Sequence, residues 1–290
     1  MTAALPIDTP GLRERVDALL ASFLREARDE VAADDPGAAP LVDEVVRMVA
    51  AGGKRLRPAF CFWGHLAAGG TDGDPILRAS TALELLHTMA LIHDDLMDDA
   101  SERRGVPSSA VHLAGECRRW GLTDDPERFG RSAAILAGDL AAVLADRLML
   151  SSGFPPERLT DALARYHRMR IEMAAGQFLD VAGLAEDRDA ARRAAALKGG
   201  GYTVEGPLLI GSALAGASGA VDAALSRFGA PLGQAFQLRD DLHDGEGAHG
   251  ATPAEVNALI GEARAALDPG VLAPEGVAAL DGLARLLEMP

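Results

Sequence analysis

Residues 82–100 read "ALELLHTMALIHDDLMDDA", and the rest of the sequence is best read outward from them. Their apolar positions recur at helical spacing and predict a helix bound for the core. Near its end, six residues carry four carboxylates: Asp94, Asp95, Asp98 and Asp99. On a helix, residues four apart share a face, so Asp94 and Asp98 point the same way. Like charges at that spacing weaken a helix by ~0.2–0.5 kcal/mol per pair. Half-buried, they cost more or take up protons. Solvent at an exposed helix end offsets that cost, and so does a hard divalent cation.

The pattern occurs twice. "DDLHD" begins at Asp240, again after an apolar helical segment, and pairs Asp240 with Asp244 and its neighbour Asp241. The spacing does not suggest a repeat array; it suggests two matching sites facing each other. Magnesium takes oxygen ligands and is usually held by one or two carboxylates plus substrate phosphates. An EF-hand is a poor match because the loop glycine and the distal glutamate are missing. Two acidic walls holding magnesium imply a polyphosphate, which also needs cations from the protein. "GGKRLRP" supplies Lys54, Arg55 and Arg57 after Gly52–Gly53, and "SERRG" supplies Arg103 and Arg104. Taken singly, each is equally well a solvated basic turn. Of 28 basic side chains only two are lysine, Lys54 and Lys198. Against that arginine background, a lysine marks a position suited to a compact ammonium.

The bulk properties are compatible with this chemistry. A chain of 290 residues with 48% hydrophobic and 24% charged content folds around a substantial core. A formal net charge of −15 argues against general nucleic-acid binding, which needs a basic face. No apolar run reaches the roughly 18 residues that a membrane span needs, and the start carries no secretion signal. Two cysteines, Cys61 and Cys117, make no disulfide framework, so the expected setting is cytoplasmic with reduced thiols. Aromatics are only 4% and no convincing strand is found. Apolar stripes such as Leu12, Val16, Leu19, Leu20 and Phe23 predict helices. Thr9–Pro10 and Thr252-Pro253-x-Glu255 read as helix starts. Breaks at 34–40, 69–74, 105–107, 153–156, 199–201 and 245–250 leave about nine to eleven helices. No stretch has linker composition, so residues 1–290 are expected to form a single all-α domain.

Seven stretches carry a resemblance: "GGKRLRP", "ELLHTMALIHDDLMDD", "RRG", "AILAGD", "GQFLD", "LKGGGYTVEGPL" and "FQLRDDLHD". In this order, across residues 52–244, the sequence resembles the trans-isoprenyl diphosphate synthases of the polyprenyl synthetase family. It looks closest to geranylgeranyl and farnesyl diphosphate synthases with a shortened C-terminal region. The resemblance implies an isoprenoid-synthase-type helical bundle around a central cavity, a homodimer, and three magnesium ions on the diphosphate of an allylic substrate. By position, Asp94 and Asp98 would hold two ions with Asp95 in support. Asp240 would hold the third, with Asp241 and Asp244 around it. Lys54, Arg57, His87 and Arg104 match positions that bind the diphosphate of isopentenyl diphosphate. Arg103, Lys198 and Gln237 match those for the allylic diphosphate, and Phe236 would line the cavity. The implied reaction is head-to-tail (1′-4) condensation of isopentenyl diphosphate with dimethylallyl, geranyl or farnesyl diphosphate. The metals and cations would stabilise the departing diphosphate in a dry site.

Chain length is expected to be set one helical turn, at ~1.5 Å per residue, below Asp94. The residues there are Ala90 and Met89, where relatives with shorter products carry aromatics. The small Ala90 and the pliable Met89 point to a twenty-carbon product, with fifteen carbons next. Three departures stand out. Gly199 replaces the family's Ser or Thr after Lys198, Gly201 stands where relatives often carry a basic residue, and little chain follows Asp244. Those departures keep alternatives open. They are prenyl transfer to another acceptor such as an aromatic ring, a class I terpene cyclase, and a weakly active regulatory subunit of a heteromeric synthase. His93 is expected to support Asp94. His112, His167 and His243 are expected on surfaces or helices, Trp63 and Trp120 in packing, and Asp139 and Asp180 near the cavity.

Overall fold

The computed structural model describes residues 11–183, 196–217, 219–243 and 252–290. Among them are eleven α-helices, and the fold is all-α as expected. They are α1 (Leu12–Asp34), α2 (Ala39–Ala50), α3 (Leu56–Ala67), α4 (Asp74–Met97), α5 (Ser109–Trp120), α6 (Pro126–Leu150), α7 (Pro156–Val181), α8 (Gly206–Ala215), α9 (Gly219–His243), α10 (Pro253–Ala265) and α11 (Pro274–Arg285). A π-helix, Ala196–Glu205, runs directly into α8. It passes through Gly199–Gly201, where the glycine run had predicted a break. The one departure from all-helical structure among the described residues is a two-residue hairpin, β1 (Glu102–Arg103) with β2 (Val106–Pro107).

Local chemistry sets the boundaries. Asp125 caps α6 by accepting from the Arg128 N–H, with Pro126 in the first turn. Thr252 caps α10 through the Glu255 N–H, as its sequence predicts. Gly121 ends α5 and Gly216 ends α8, both in the left-handed conformation. The start signal at Thr9–Pro10 and the break at 245–250 lie outside the described residues.

The chain forms two compact units, interleaved in sequence. One comprises Arg13–Arg55 and Thr81–Ser152. In it α5 packs on α6, and α2 packs on both. Val16, Leu20, Leu24, Val42 and Val45 fill its core with Leu83, Leu86 and Leu144. The other gathers 56–80 with the described part of 153–290. There α3 packs on α8 and α11, α7 on α8 and the π-helix, and α9 on the π-helix and α10. Phe60, Phe62, Tyr166, Leu208 and Phe228 are fully buried in it. Each such side chain contributes about 1.5–3 kcal/mol on burial. Trp63 packs edge-on against Phe62, as expected. Trp120 packs only in part: it ends α5 with 43% of its surface exposed. Both cysteines are free and buried. No described helix is long and apolar enough to cross a membrane.

Candidate active site

α4 delivers the first acidic motif. It is buried on every side through Ala79–Leu86, and at its acidic end Met97 and the following Asp98 are exposed. His87, Ala90, Asp94 and Asp98 fall on one stripe of this helix by spacing. His87, Met89, Ala90 and Asp94 are half-buried, whereas Asp95 is 3% exposed. Burial pushes the Asp95 carboxyl above its ordinary value, against the lowering effect of its bond to Arg103.

The "RRG" motif is the turn of the hairpin. Glu102 pairs with Pro107 and Arg103 with Val106, leaving Arg104 and Gly105 as the two turn residues. Both have positive φ, 55° and 77°, the signature of a type I′ turn, which matches the twist of the strands it joins. Gly105 is the residue that makes this turn inexpensive. The hairpin then sends its two arginines to different places. Arg103 donates from Nε to Asp95 Oδ1 at 2.7 Å and from Nη2 to Asp94 Oδ2 at 3.1 Å. Arg104 donates to the Gly52 carbonyl, and its guanidinium lies where a side chain on Gly53 would have to go. Lys54 follows, exposed. One unit thus gathers Asp94, Asp95, Arg103, Arg104 and the Lys54 loop.

Arg55 has a different fate from the one its motif suggests. It is 6% exposed. It donates to Glu84 Oε1 at 2.6 Å, Asp17 Oδ1 at 2.8 Å and the Val49 carbonyl at 3.0 Å. Of the three cations of "GGKRLRP", this one is used up inside the protein. Glu84 opens one of the quoted stretches and Asp17 lies in none, but nothing around either marks a partner for Arg55, so the sequence could not assign it.

His93 donates from Nε2 to the Ile135 carbonyl, 3.2 Å away. Its ring occupies the place that a side chain on Gly138 would need, and Nε2 lies 3.9 Å from the exposed Asp139. His93 therefore supports the acidic end of α4 by packing on α6. His112 bonds the buried Glu44 at 2.7 Å, a structural contact between α5 and α2.

The second unit carries the second acidic motif at the end of α9. Phe236, Gln237 and Asp240 are half-buried there. Gly200 and Gly233 bring the π-helix and α9 into backbone contact; a Cβ on either would strike the other's main chain. A Cβ on Gly199 would strike the Gln237 amide oxygen. Arg57 donates to Thr203 Oγ1 at 2.8 Å and lies over the Tyr202 ring at 4.4 Å. Its Nε is buried without a hydrogen-bond partner. Tyr202 and Thr203 sit inside a motif, yet sequence reasoning gave them no role. The backbones of Lys198 and Asp241 are helical. Their side chains, and all of Asp244, lie outside the described residues. Asp180 is exposed near the end of α7. A cleft of about 650 Å³ beside α7, lined by Asp161, Arg165, Arg168, Glu172 and Glu205 among others, contains none of the predicted site residues.

The first motif fits magnesium. Asp95 Oδ2 is buried with no hydrogen-bond partner, so a desolvated acceptor already waits beside Asp94. The donors are carboxylate oxygens, which magnesium prefers. Among the described residues no three His, Cys, Asp or Glu side chains converge as a ready-made cage. Magnesium usually does without one, because water and substrate phosphates complete its shell.

The family model described as Polyprenyl synthetase matches residues 39–253. The geranylgeranyl pyrophosphate synthase of Geoglobus acetivorans is 34% identical over 198 residues, 67% of this chain and 56% of that protein. The farnesyl diphosphate synthase of Geobacillus stearothermophilus is 32% identical over 222 residues, 73% of this chain and 68% of that protein. The chain spans just over half the length of several curated relatives it matches. Among solved structures, a geranylgeranyl pyrophosphate synthase from Corynebacterium glutamicum, complexed with isoprenyl diphosphate and magnesium, aligns with a TM-score of 0.88. It is 26% identical, over 96% of this chain and 98% of that one.

Proposed function

Because the chain belongs to the polyprenyl synthetase family, we propose that it is a magnesium-dependent prenyltransferase that makes a short-chain prenyl diphosphate. The observation that carries this reading is the convergence of Arg103 on Asp94 and Asp95, with Arg104 returning to the Lys54 loop. Acids for metal and cations for diphosphate lie side by side, which a terpene cyclase would not need in the form of "GGKRLRP". The same retained set speaks against a regulatory subunit or a foreign acceptor.

In this reading Asp94, Asp95 and Asp98 hold magnesium at the first motif, and Asp240 with Asp241 and Asp244 hold a further ion. Three ions in all follow the family pattern. Bound magnesium would neutralise charge on the departing diphosphate. Lys54, Arg57, His87 and Arg104 bind the diphosphate of isopentenyl diphosphate. Arg103, Lys198 and Gln237 bind that of the allylic substrate. The allylic C–O bond breaks and its electron pair leaves with the diphosphate. The isopentenyl double bond then forms the new C–C bond, and a proton is lost. Holding both substrates in one orientation is the main catalytic gain available to the protein.

A twenty-carbon product is supported by the small Ala90 one turn below Asp94 and by relatives named as geranylgeranyl synthases. A homodimer is supported by the exposed apolar row Leu136, Val143 and Leu150, at seven-residue spacing on α6. A single domain is supported by a family match that runs through both compact units. A cytoplasmic setting is supported by two free, buried thiols.

The test is a product assay with magnesium, isopentenyl diphosphate and each allylic primer, read by mass spectrometry. A ladder ending at twenty carbons is the expected result. Met89→Phe should shorten it and Met89→Ala lengthen it. No elongation from any primer would overturn the reading, and light scattering on the same sample reports the oligomer.

A further inference from the structure

The pairing of Arg103 with Asp94 and Asp95 has a consequence for how metal enters. Arg103 occupies the carboxylates to which magnesium is assigned. Its Nη2 lies 2.5 Å from Asp95 Oδ1 and 3.1 Å from Asp94 Oδ2. A guanidinium and a divalent cation compete for the same lone pairs, and they repel each other at contact range. We propose that Arg103 is a resident counter-ion that blocks metal until a diphosphate gives it another partner.

Three features carry this beyond an ordinary ion pair. The Arg103 side chain is 30% exposed, so it can be reached by an incoming anion. Asp95 is almost fully buried and keeps one oxygen without a partner, so its carboxylate cannot turn to water once Arg103 leaves. Arg103 also belongs to a hairpin only two residues long in each strand, a small element to displace. Phosphate oxygens accept the same bidentate fork that carboxylates do, so a diphosphate can take Arg103 over without leaving it unpaired. Metal and diphosphate then favour each other's binding, and by linkage the coupling is reciprocal. The metal alone binds weakly because it must evict a cation.

The inference rests on the magnesium reading above, so its test contains no isoprenoid. Magnesium is titrated calorimetrically into the diphosphate-free protein, its Arg103→Gln variant and an Arg119→Gln variant. Arg119 is an exposed arginine elsewhere in the same unit, and its loss controls for net charge. Arg103→Gln should bind the first magnesium about tenfold more tightly than the unaltered protein, the factor equivalent to ~1.4 kcal/mol. Arg119→Gln should not. Equal or weaker binding in a folded Arg103→Gln overturns the inference, as does an equal gain in Arg119→Gln. Should Arg103→Gln fail to fold, Arg103→Lys keeps the charge but loses the fork, and a smaller gain is expected from it. If Arg103→Gln shows the gain while the unaltered protein elongates no primer, the synthase reading sinks and the counter-ion stands.

Discussion

Two arginines of the same compact unit each hold two carboxylates, and their surroundings make them opposites. Arg55 sits at 6% side-chain exposure between Glu84 and Asp17. Arg103 sits at 30% between Asp95 and Asp94. In both, burial works to lower the guanidinium pKa and the carboxylates override it. The difference is access. Arg55 is enclosed, and its loop is tied to α1 and α4 for as long as the protein is folded. Arg103 faces solvent on a short hairpin and can be exchanged. The same chemical pair therefore serves once as a rivet and once as a latch, and a sequence motif that lists both as cations cannot tell them apart.

The comparison can be broken most forcefully at the rivet. Glu84→Gln leaves the buried Arg55 charge short of a partner, and breaking such a pair costs ~3–5 kcal/mol. In calorimetry the thermal midpoint should drop by ~10 °C. A drop just as large in Arg103→Gln would erase the distinction. At the latch, Asp94→Asn should reduce prenyl diphosphate formation by about 10²–10³-fold, the scale of losing one preorganised electrostatic group. Its thermal midpoint should stay close to that of the unaltered protein. A variant that lost both together would mean that Asp94 is structural.

The smallest effect is in the pH dependence of stability, and its sign sharpens the contrast. The folded state raises the Asp95 pKa, mainly by burial, above the ordinary 3.8. Between that value and the folded one, the folded protein holds a proton that the unfolded chain has lost. Stability from this group is thus greatest at acid pH and declines as pH rises through the window. Asp95→Asn imitates the protonated acid and removes that slope. Denaturant midpoints measured from pH ~4 to ~6 should show the unaltered protein losing ground to Asp95→Asn. A constant gap would show that Arg103 fully compensates the burial.

The fold class and the motif residues were legible because they depend on short-range pattern. Helical periodicity announced α1 and α4. Thr252 announced the start of α10. Paired aspartates four residues apart announced the acidic end of α4. What the sequence hid were facts about distance. Nothing near Arg55 in the chain says that Glu84, 29 positions on, will claim it. Nothing in "KGGGYT" says that three glycines will lie within a π-helix because α9 crosses close by at Gly233. The division into two interleaved units was invisible for the same reason: no linker marks it, because the chain passes from one to the other inside α4 and between neighbouring helices. Trp120 was misjudged because an aromatic at a helix end has the same composition whether it is packed or bare.

The π-helix from Ala196 to Glu205 has a further consequence for how this chain can change over evolutionary time. A π-helical register carries more residues per turn than an α-helix, so losing one residue from this segment would let it relax to the ordinary 3.6. A deletion that left the register unrelaxed would instead rotate everything on one side of it by about 100° relative to the other. The Tyr202–Thr203 pair that meets Arg57 would then no longer present its present face. The number of residues between Ala196 and Gly206 is therefore under constraint in its own right. Substitutions there can be absorbed one at a time, but a one-residue insertion or deletion resets the whole segment at once.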